Sequence, residues 1–323
     1  MFREKVRLLN PEWFRDPSSQ LESTLRTPYI LKFGISLFLR RLGFKWFASG
    51  LVIWIISNNI FISIILGFLT SLIFELFTLK KYYENKALPK HLKNFEQVKV
   101  LFEESKISSN SELIKIIDNS VRVSTWGLVN ITYVGVSAWG WEIFFKILYP
   151  FVTSSKIHYS NLLIGFKNKA TDSDQMLWDV AQKKDKESQK IRLEEYLSEF
   201  GSKVDDLEIS KPTLREQPNL VKKLLELYSE TESPAKLIKE QQNKRDMDIQ
   251  SVSKNLKIPK RLSYLLLKKV QENVALREDR RYYQFIADYY IRVMLIDLGK
   301  RLSLKENEIF TMSWDNIKRK NLK

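Results

Sequence analysis

VALREDRRYYQFIADYYIRVMLIDLGKR, residues 274–301, sets Tyr282, Ile286, Tyr289, Val293 and Ile296 at alternating spacings of four and three. That spacing places them on one face of a long amphipathic helix. In the SLKE that follows, Ser303 and Glu306 match a capping box, while the β-leaning IFTM at 309–312 suggests a short strand or turn.

Other helix signals recur through the C-terminal half. Thr171 followed by Asp174 can cap a helix carrying Met176, Leu177, Trp178, Val180 and Ala181, with Gly201 as a stop and a break expected near 183–190, where charge is dense. Pro218 and the Ser233–Pro234 pair suit first turns of two more helices. Residues 236–257 carry only a thin apolar stripe and read as an exposed or coiled-coil-like arm.

Composition agrees with helices. Only 10 Gly and 9 Pro in 323 residues disfavour an all-β sandwich or barrel, which needs turn residues at short intervals. With 44% hydrophobic residues the chain can build a core. Cysteine is absent, so disulfides and thiolate chemistry are excluded. Met1–Asn10 is charged and unlike a secretion signal, which makes a cytoplasmic setting the expectation. The net charge of +15 is spread along the chain among 38 acidic residues, and no zinc-finger or aromatic RNA-binding pattern accompanies it. A nucleic-acid partner is therefore not expected.

From Trp46 to Phe74 there is no charged residue, a length sufficient to cross a bilayer. Arg40, Arg41 and Lys45 precede it and Lys80 and Lys81 follow, so charge does not fix an orientation. The competing reading is that Ser57, Asn58 and Asn59 split it into two short core elements, or a β-hairpin. Membrane association through 46–74 thus stands beside burial. A second charge-free run, Val123–Trp141, contains Gly127, Gly135 and Gly140 and reads as core. The irregular segment 1–26 shows no function.

The search for chemistry is mostly negative. Neither His91 nor His158 has a second metal ligand at helical spacing, so no metal site is expected. There is no phosphate-binding glycine loop and no serine-hydrolase elbow. No catalytic residue is assigned.

Three segments are nevertheless specific in order and spacing: 161–182 (NLLIGFKNKATDSDQMLWDVAQ), 195–228 and 274–317. Together they resemble the helical middle region of enzymes related to phosphoenolpyruvate synthase and rifampicin phosphotransferase. There an L-x-G-x-x-N-x-x-T stretch leads into a helix with a Leu-Trp pair, followed by a Phe-Gly-His-Arg-Gly loop and later an Arg-Glu-x-x-Arg-Phe/Tyr helix.

The resemblance, over about 110–318, implies ATP-driven phosphoryl transfer through an ATP-grasp domain and a phosphohistidine domain. ATP and Mg would enter only through those partners, with an unidentified small molecule as acceptor. It also implies a mainly α, elongated helical domain at 110–323 with few or no strands, preceded by an apolar region at 1–109. The chain would then be a substrate-binding or scaffold component, not active alone, or else a non-enzymatic helical interaction protein.

The implied binding groove is lined by Trp178, Lys203, Arg277, Arg281 and Tyr282. The loop after Phe200 departs from the family, with Gly201, Ser202, Lys203 and Val204 where Gly-His-Arg-Gly is usual. Lysine lacks arginine's two-pronged contact, and serine is no base without a partner. Thr213 and Leu214 replace the usual Arg-Trp, while Glu216 and Pro218 keep the pattern.

Overall fold

The computed structural model describes residues 21, 25–39, 41, 44–57, 60–204 and 208–321. The lead-in expected over 1–26 lies outside these residues except at Leu21, Leu25 and Arg26, as do Asn58 and Asn59. The described helices are α1 (Thr27–Phe38), α2 (Phe44–Ser57), α3 (Ile60–Tyr82), α4 (Leu88–Ser105), α5 (Asn110–Val152), α6 (Lys169–Ala181), α7 (Lys186–Phe200), α8 (Pro218–Ser229), α9 (Pro234–Ser253), α10 (Lys260–Arg301) and α11 (Trp314–Lys320).

No strand occurs among the described residues, and one isolated antiparallel bridge joins Thr153 and Leu256. The protein is mainly α. Both β alternatives are corrected: 46–74 contributes to α2 and α3, and IFTM lies in a 3-10 turn, Glu308–Thr311. Ile309 and Phe310 are both buried against α10, whereas a strand would send neighbours to opposite faces.

The spine is an antiparallel pair, α5 and α10, each about 60 Å long at 1.5 Å per residue. At one end Leu113, Ile117 and Val121 pack with Ile291, Leu295 and Leu298. At the other, Phe145 and Tyr149 meet Leu267, Val270 and Val274. Residues 282, 289, 293 and 296 of the expected stripe are only partly buried; the fully buried line is Ile291, Met294, Leu295 and Leu298. α10 is flanked by several neighbours, so its single-face pattern blurs.

Both ends of α5 are capped. Ser109 and Glu112 form a capping box, the Glu112 carboxylate accepting from the Ser109 N–H at 2.8 Å. At the far end, Lys257 donates from its backbone N–H to Val152 O (2.9 Å) and from Nζ to Pro150 O (2.8 Å). These bonds satisfy carbonyls that helix geometry leaves unpaired.

α4 lies along the spine, and contacts from α4 and α10 explain two of the glycines in 123–141. A Cβ at Gly127 would lie 2.6 Å from His91 Nδ1, and one at Gly135 would lie 1.8 Å from Arg280 Nε. Gly140 faces open space. Thus the first two admit polar side chains from α4 and α10 into a helix interface. His91 Nε2 donates to Tyr283 O at 2.6 Å, and Asn94 Nδ2 donates to Val123 O at 2.9 Å.

Between α3 and α4 runs a π-helical turn, Tyr83–Ala87. Its wider step lets consecutive Tyr82 and Tyr83 both point inward. Tyr82 Oη donates to Asn130 Oδ1 at 2.6 Å, and Tyr83 Oη donates to Asp279 Oδ2 at 3.4 Å. Among the described residues, one helical run, Ile60–Ser105, is long and apolar enough by length and composition to cross a membrane.

The remaining helix starts follow the sequence closely. Pro218 and Pro234 open α8 and α9, and charge-dense 183–190 breaks α6 from α7, with Asp185 capping the latter. The α6 cap is corrected to Asn168, with Thr171 at the third helical position.

Two measurements check this packing. Gly135→Ala forces the Arg280 side chain out of its channel and lowers stability by about 1–3 kcal/mol in chemical denaturation. His91 is held below the usual imidazole pKa by burial, against the opposing pull of the Tyr283 carbonyl and Asp288. Below about pH 6.5 the unfolded chain takes up a proton that the folded chain refuses. The stability this confers is present above that pH and is lost as pH falls, and His91→Gln flattens this part of the stability–pH curve.

Candidate functional site

The segment 163–171 shows how local sequence places the site. Leu163, Gly165, Asn168 and Thr171 occupy the L-x-G-x-x-N-x-x-T positions. Gly165 has φ +75°, and a Cβ there would lie 2.8 Å from the Gln242 backbone nitrogen of α9. Only glycine suits both constraints. Asn168 Oδ1 accepts from the N–H groups of Ala170 (2.9 Å) and Thr171 (3.0 Å), and Thr171 Oγ1 accepts from the Asn168 N–H at 3.0 Å. Leu163 is buried in the core formed with α5 and α10. Every member of the pattern is therefore accounted for by a core contact, a turn or a cap.

The cap fixes the start of α6 against the middle of α10. Asp279 Oδ1 accepts from the Lys169 backbone N–H at 3.1 Å, while its other oxygen receives Tyr83. Lys169 Nζ then bonds Glu199 Oε1 of α7 at 3.0 Å and lies 5.2 Å from the Tyr282 ring centroid. Burial alone would lower the Lys169 pKa, but Glu199 outweighs it and holds the ammonium above the usual lysine value.

The loop after Phe200 is clamped to this point. Phe200 meets Tyr282 edge to face, with centroids 5.3 Å apart, and Tyr282 Oη donates to Glu199 O at 3.2 Å. Burial raises the Tyr282 pKa and the Glu199 carboxylate adds to it, keeping the phenol protonated as a donor. The loop returns through backbone bonds from Leu214 N–H to Lys203 O (2.8 Å) and from Arg215 N–H to Gly201 O (2.9 Å). Arg215 Nη2 donates to Leu197 O at 2.6 Å, and its guanidinium lies 5.2 Å from the Tyr289 ring centroid. Lys203 is exposed at the outside of the turn.

The five expected groove residues are placed unevenly. Lys203 and Tyr282 belong to the same clamp of loop on helix. Trp178 faces the α8–α9 junction, its Nε1 donating to Thr231 O at 3.1 Å. Arg277 pairs with Glu142 of α5. Arg281 sits on the backbone of α10, but its side chain lies outside the described residues, as does that of Glu278. A concavity of about 540 Å³ between α6 and α7, edged by Asp179, Lys183, Arg192 and Glu195, includes none of the five.

Sequence reading missed Lys169, Glu199, Asp279, Arg215 and Arg292. Arg292 is 4% exposed and holds both Glu216 oxygens from Nε at 3.0 Å, with Nη1 donating to Ile209 O at 2.9 Å. Glu216 Oε2 also accepts from the Thr213 N–H and hydroxyl at 2.8 Å each. Glu216 thus shapes the loop's return. The one available signal was an arginine within the apolar stretch of α10.

Chemically, Lys169 is paired with Glu199 over the Tyr282 phenol and Arg215 is bonded to Leu197 O, which leaves Lys203 as the exposed cation of the loop. Neither histidine is among the bonded partners of the clamp: His91 packs under Gly127, and His158 Nδ1 lies 2.7 Å from Ser160 Oγ. The nearby carboxylates do not fit a magnesium site, because Asp279, Glu199 and Glu216 are committed to Lys169, Lys169 and Arg292. No group of three or more His, Asp or Glu suited to a metal occurs among the described residues.

This clamp lies within or beside a stretch with a known counterpart. Residues 152–278 match the rifampicin phosphotransferase fourth domain. The matched stretch, less than half of the chain, is thus similar to that helical domain. The fourth-domain match includes Trp178, Lys203 and Arg277, and ends before Arg281 and Tyr282. No curated protein matches the chain.

Arg292→Met leaves Glu216 without its cation and lowers stability by on the order of 3 kcal/mol in urea denaturation. Adding Glu216→Gln to that variant recovers part of the loss, which a double-mutant cycle reads as coupling.

Proposed function

We propose that the chain is the acceptor-binding or scaffold component of a split, rifampicin phosphotransferase-like system, in which ATP-grasp and phosphohistidine domains supply the phosphoryl group. The match over 152–278 carries this reading. It is supported by the clamp, which sets Lys169 over Tyr282 and leaves Lys203 exposed on the adjoining loop, at the place where the resembling enzymes have a histidine and an arginine. The chain's own residues would hold and orient an anionic or phosphorylated acceptor; ATP and magnesium would stay on the partner domains. A second reading, a helical interaction protein without phosphotransfer, is favoured by Ser202 at the histidine position and by the Arg277–Glu142 pairing.

The test mixes the chain with ATP-grasp and phosphohistidine domains of a rifampicin phosphotransferase-type enzyme, labelled ATP and a panel of hydroxyl-bearing acceptors. Label reaches an acceptor only with the chain present. Lys203→Ala or Arg281→Ala lowers transfer about tenfold, equivalent to roughly 1.4 kcal/mol of lost anion contact. Equal transfer with and without the chain excludes the phosphotransfer reading and leaves the interaction protein.

A further inference from the structure

α3 carries its polarity in reverse. Ser63, Gly67, Ser71, Glu75 and Leu79 recur every four residues and are all buried. The opposite side shows large apolar groups, including Phe61 (76% exposed), Ile65 (61%) and Phe74 (55%). On α2, which packs against α3, Phe47 and Ile55 are each 70% exposed. Gly50 of α2 lies at this contact, where a Cβ would stand 3.4 Å from Ser63 O. A helix at a water-facing surface has the reverse arrangement, with its apolar stripe inward. Exposed apolar surface this continuous marks an interaction face.

The hydroxyls along the hairpin satisfy themselves. Ser49 donates to Lys45 O (2.7 Å), Thr70 to Leu66 O (2.7 Å) and Ser71 to Gly67 O (2.9 Å). Such bonds within a helix suit surroundings without water.

Charge is confined to one end. Glu75, 2% exposed, accepts from Arg41 and Lys45 at 2.6 Å each, and Arg41 lies 3.4 Å from the Tyr82 ring centroid. Just beyond, Lys80, Lys81 and Lys86 outnumber Glu84, which Lys80 meets at 3.9 Å, and leave a net basic collar. The charge-free arms measure about 18 Å (residues 46–57) and about 22 Å (residues 60–74) at 1.5 Å per residue. A bilayer core is about 30 Å thick. α3 as a whole, Ile60–Tyr82, is about 34 Å long and could reach across, but its charge-free part ends before Glu75 and is shorter than the core. The packing of α2 against α3 returns both outer ends to the same side.

We propose that the α2–α3 hairpin enters a lipid bilayer from one face as a re-entrant unit, its basic collar resting on anionic headgroups. The collar's charge and the arms' length favour a bilayer over a second copy of the chain, whose identical collar would repel it. The rest of the protein then sits on the side from which the hairpin enters.

The chain lacks cysteine, so single cysteines report position without background. Full-length protein carrying Leu39→Cys, Ile60→Cys or Asn85→Cys is added to preformed phosphatidylcholine–phosphatidylglycerol vesicles, floated, and treated outside with a membrane-impermeant maleimide. The protein floats, Leu39→Cys and Asn85→Cys both react, and Ile60→Cys is protected until detergent is added. Ile65→Glu, at an exposed position, keeps its circular-dichroism melt and lowers the floated fraction about tenfold. Failure to float overturns the proposal, including failure accompanied by a dimer in sedimentation. So does flotation with Ile60→Cys reactive from outside, which means surface adsorption, or with only one of the two flanking cysteines reactive, which means a crossing helix.

Discussion

The close approach of polar side chains to two of the three glycines of α5 governs how α4 and α10 can pack against it. Arg280 crosses at Gly135 and His91 lies over Gly127, so α10 and α4 approach the spine at positions where other residues would hold them off. A helix interface normally fills such space with apolar side chains. Here the register of α10 is fixed by a guanidinium in a slot of one particular width. Asp279 and Tyr282, on either side of Arg280 in sequence, are placed by the same constraint, and through them the start of α6 and the loop after α7.

The distinction between architecture and chemistry follows from which matching residues have a structural task. Gly165, Asn168 and Thr171 make a tight approach and a cap, and Glu216 joins a cap to a buried ion pair. These positions keep the fold of a fourth-domain-like segment whatever reaction it serves. The departures at Ser202 and Lys203 fall on a turn where Lys203 is exposed, whereas those at Thr213 and Leu214 are buried in the loop's return. The match to 152–278 therefore speaks firmly about the helical framework and leaves the turn's chemistry to the proposal.

Much of the framework was legible because its signals are local. Pro218 and Pro234 announce their helices, the charge run at 183–190 announces a break, and scarcity of glycine and proline excludes a β architecture. What was hidden depends on distance along the chain. Arg280 and Gly135 are far apart in sequence, as are Arg292 and Glu216, and nothing periodic links either pair. The groove expected from Trp178, Arg277 and Tyr282 assumed that matching residues share a surface, yet Trp178 turns to Thr231 and Arg277 to Glu142. Around 46–74 the absence of charge was plain, whereas the inward line of Ser63, Gly67 and Ser71 acquires meaning only once α2 lies against it.

Hydrogen exchange across the whole chain tests the spine most directly. Amides protected by the deepest packing exchange only through global unfolding. The account predicts the slowest exchange in α5 around 113–134 and in α10 around 274–298, with both segments opening together and faster exchange in α9, whose outer face is polar. Independent opening of α5 and α10, or exchange in both as fast as in α9, would contradict it.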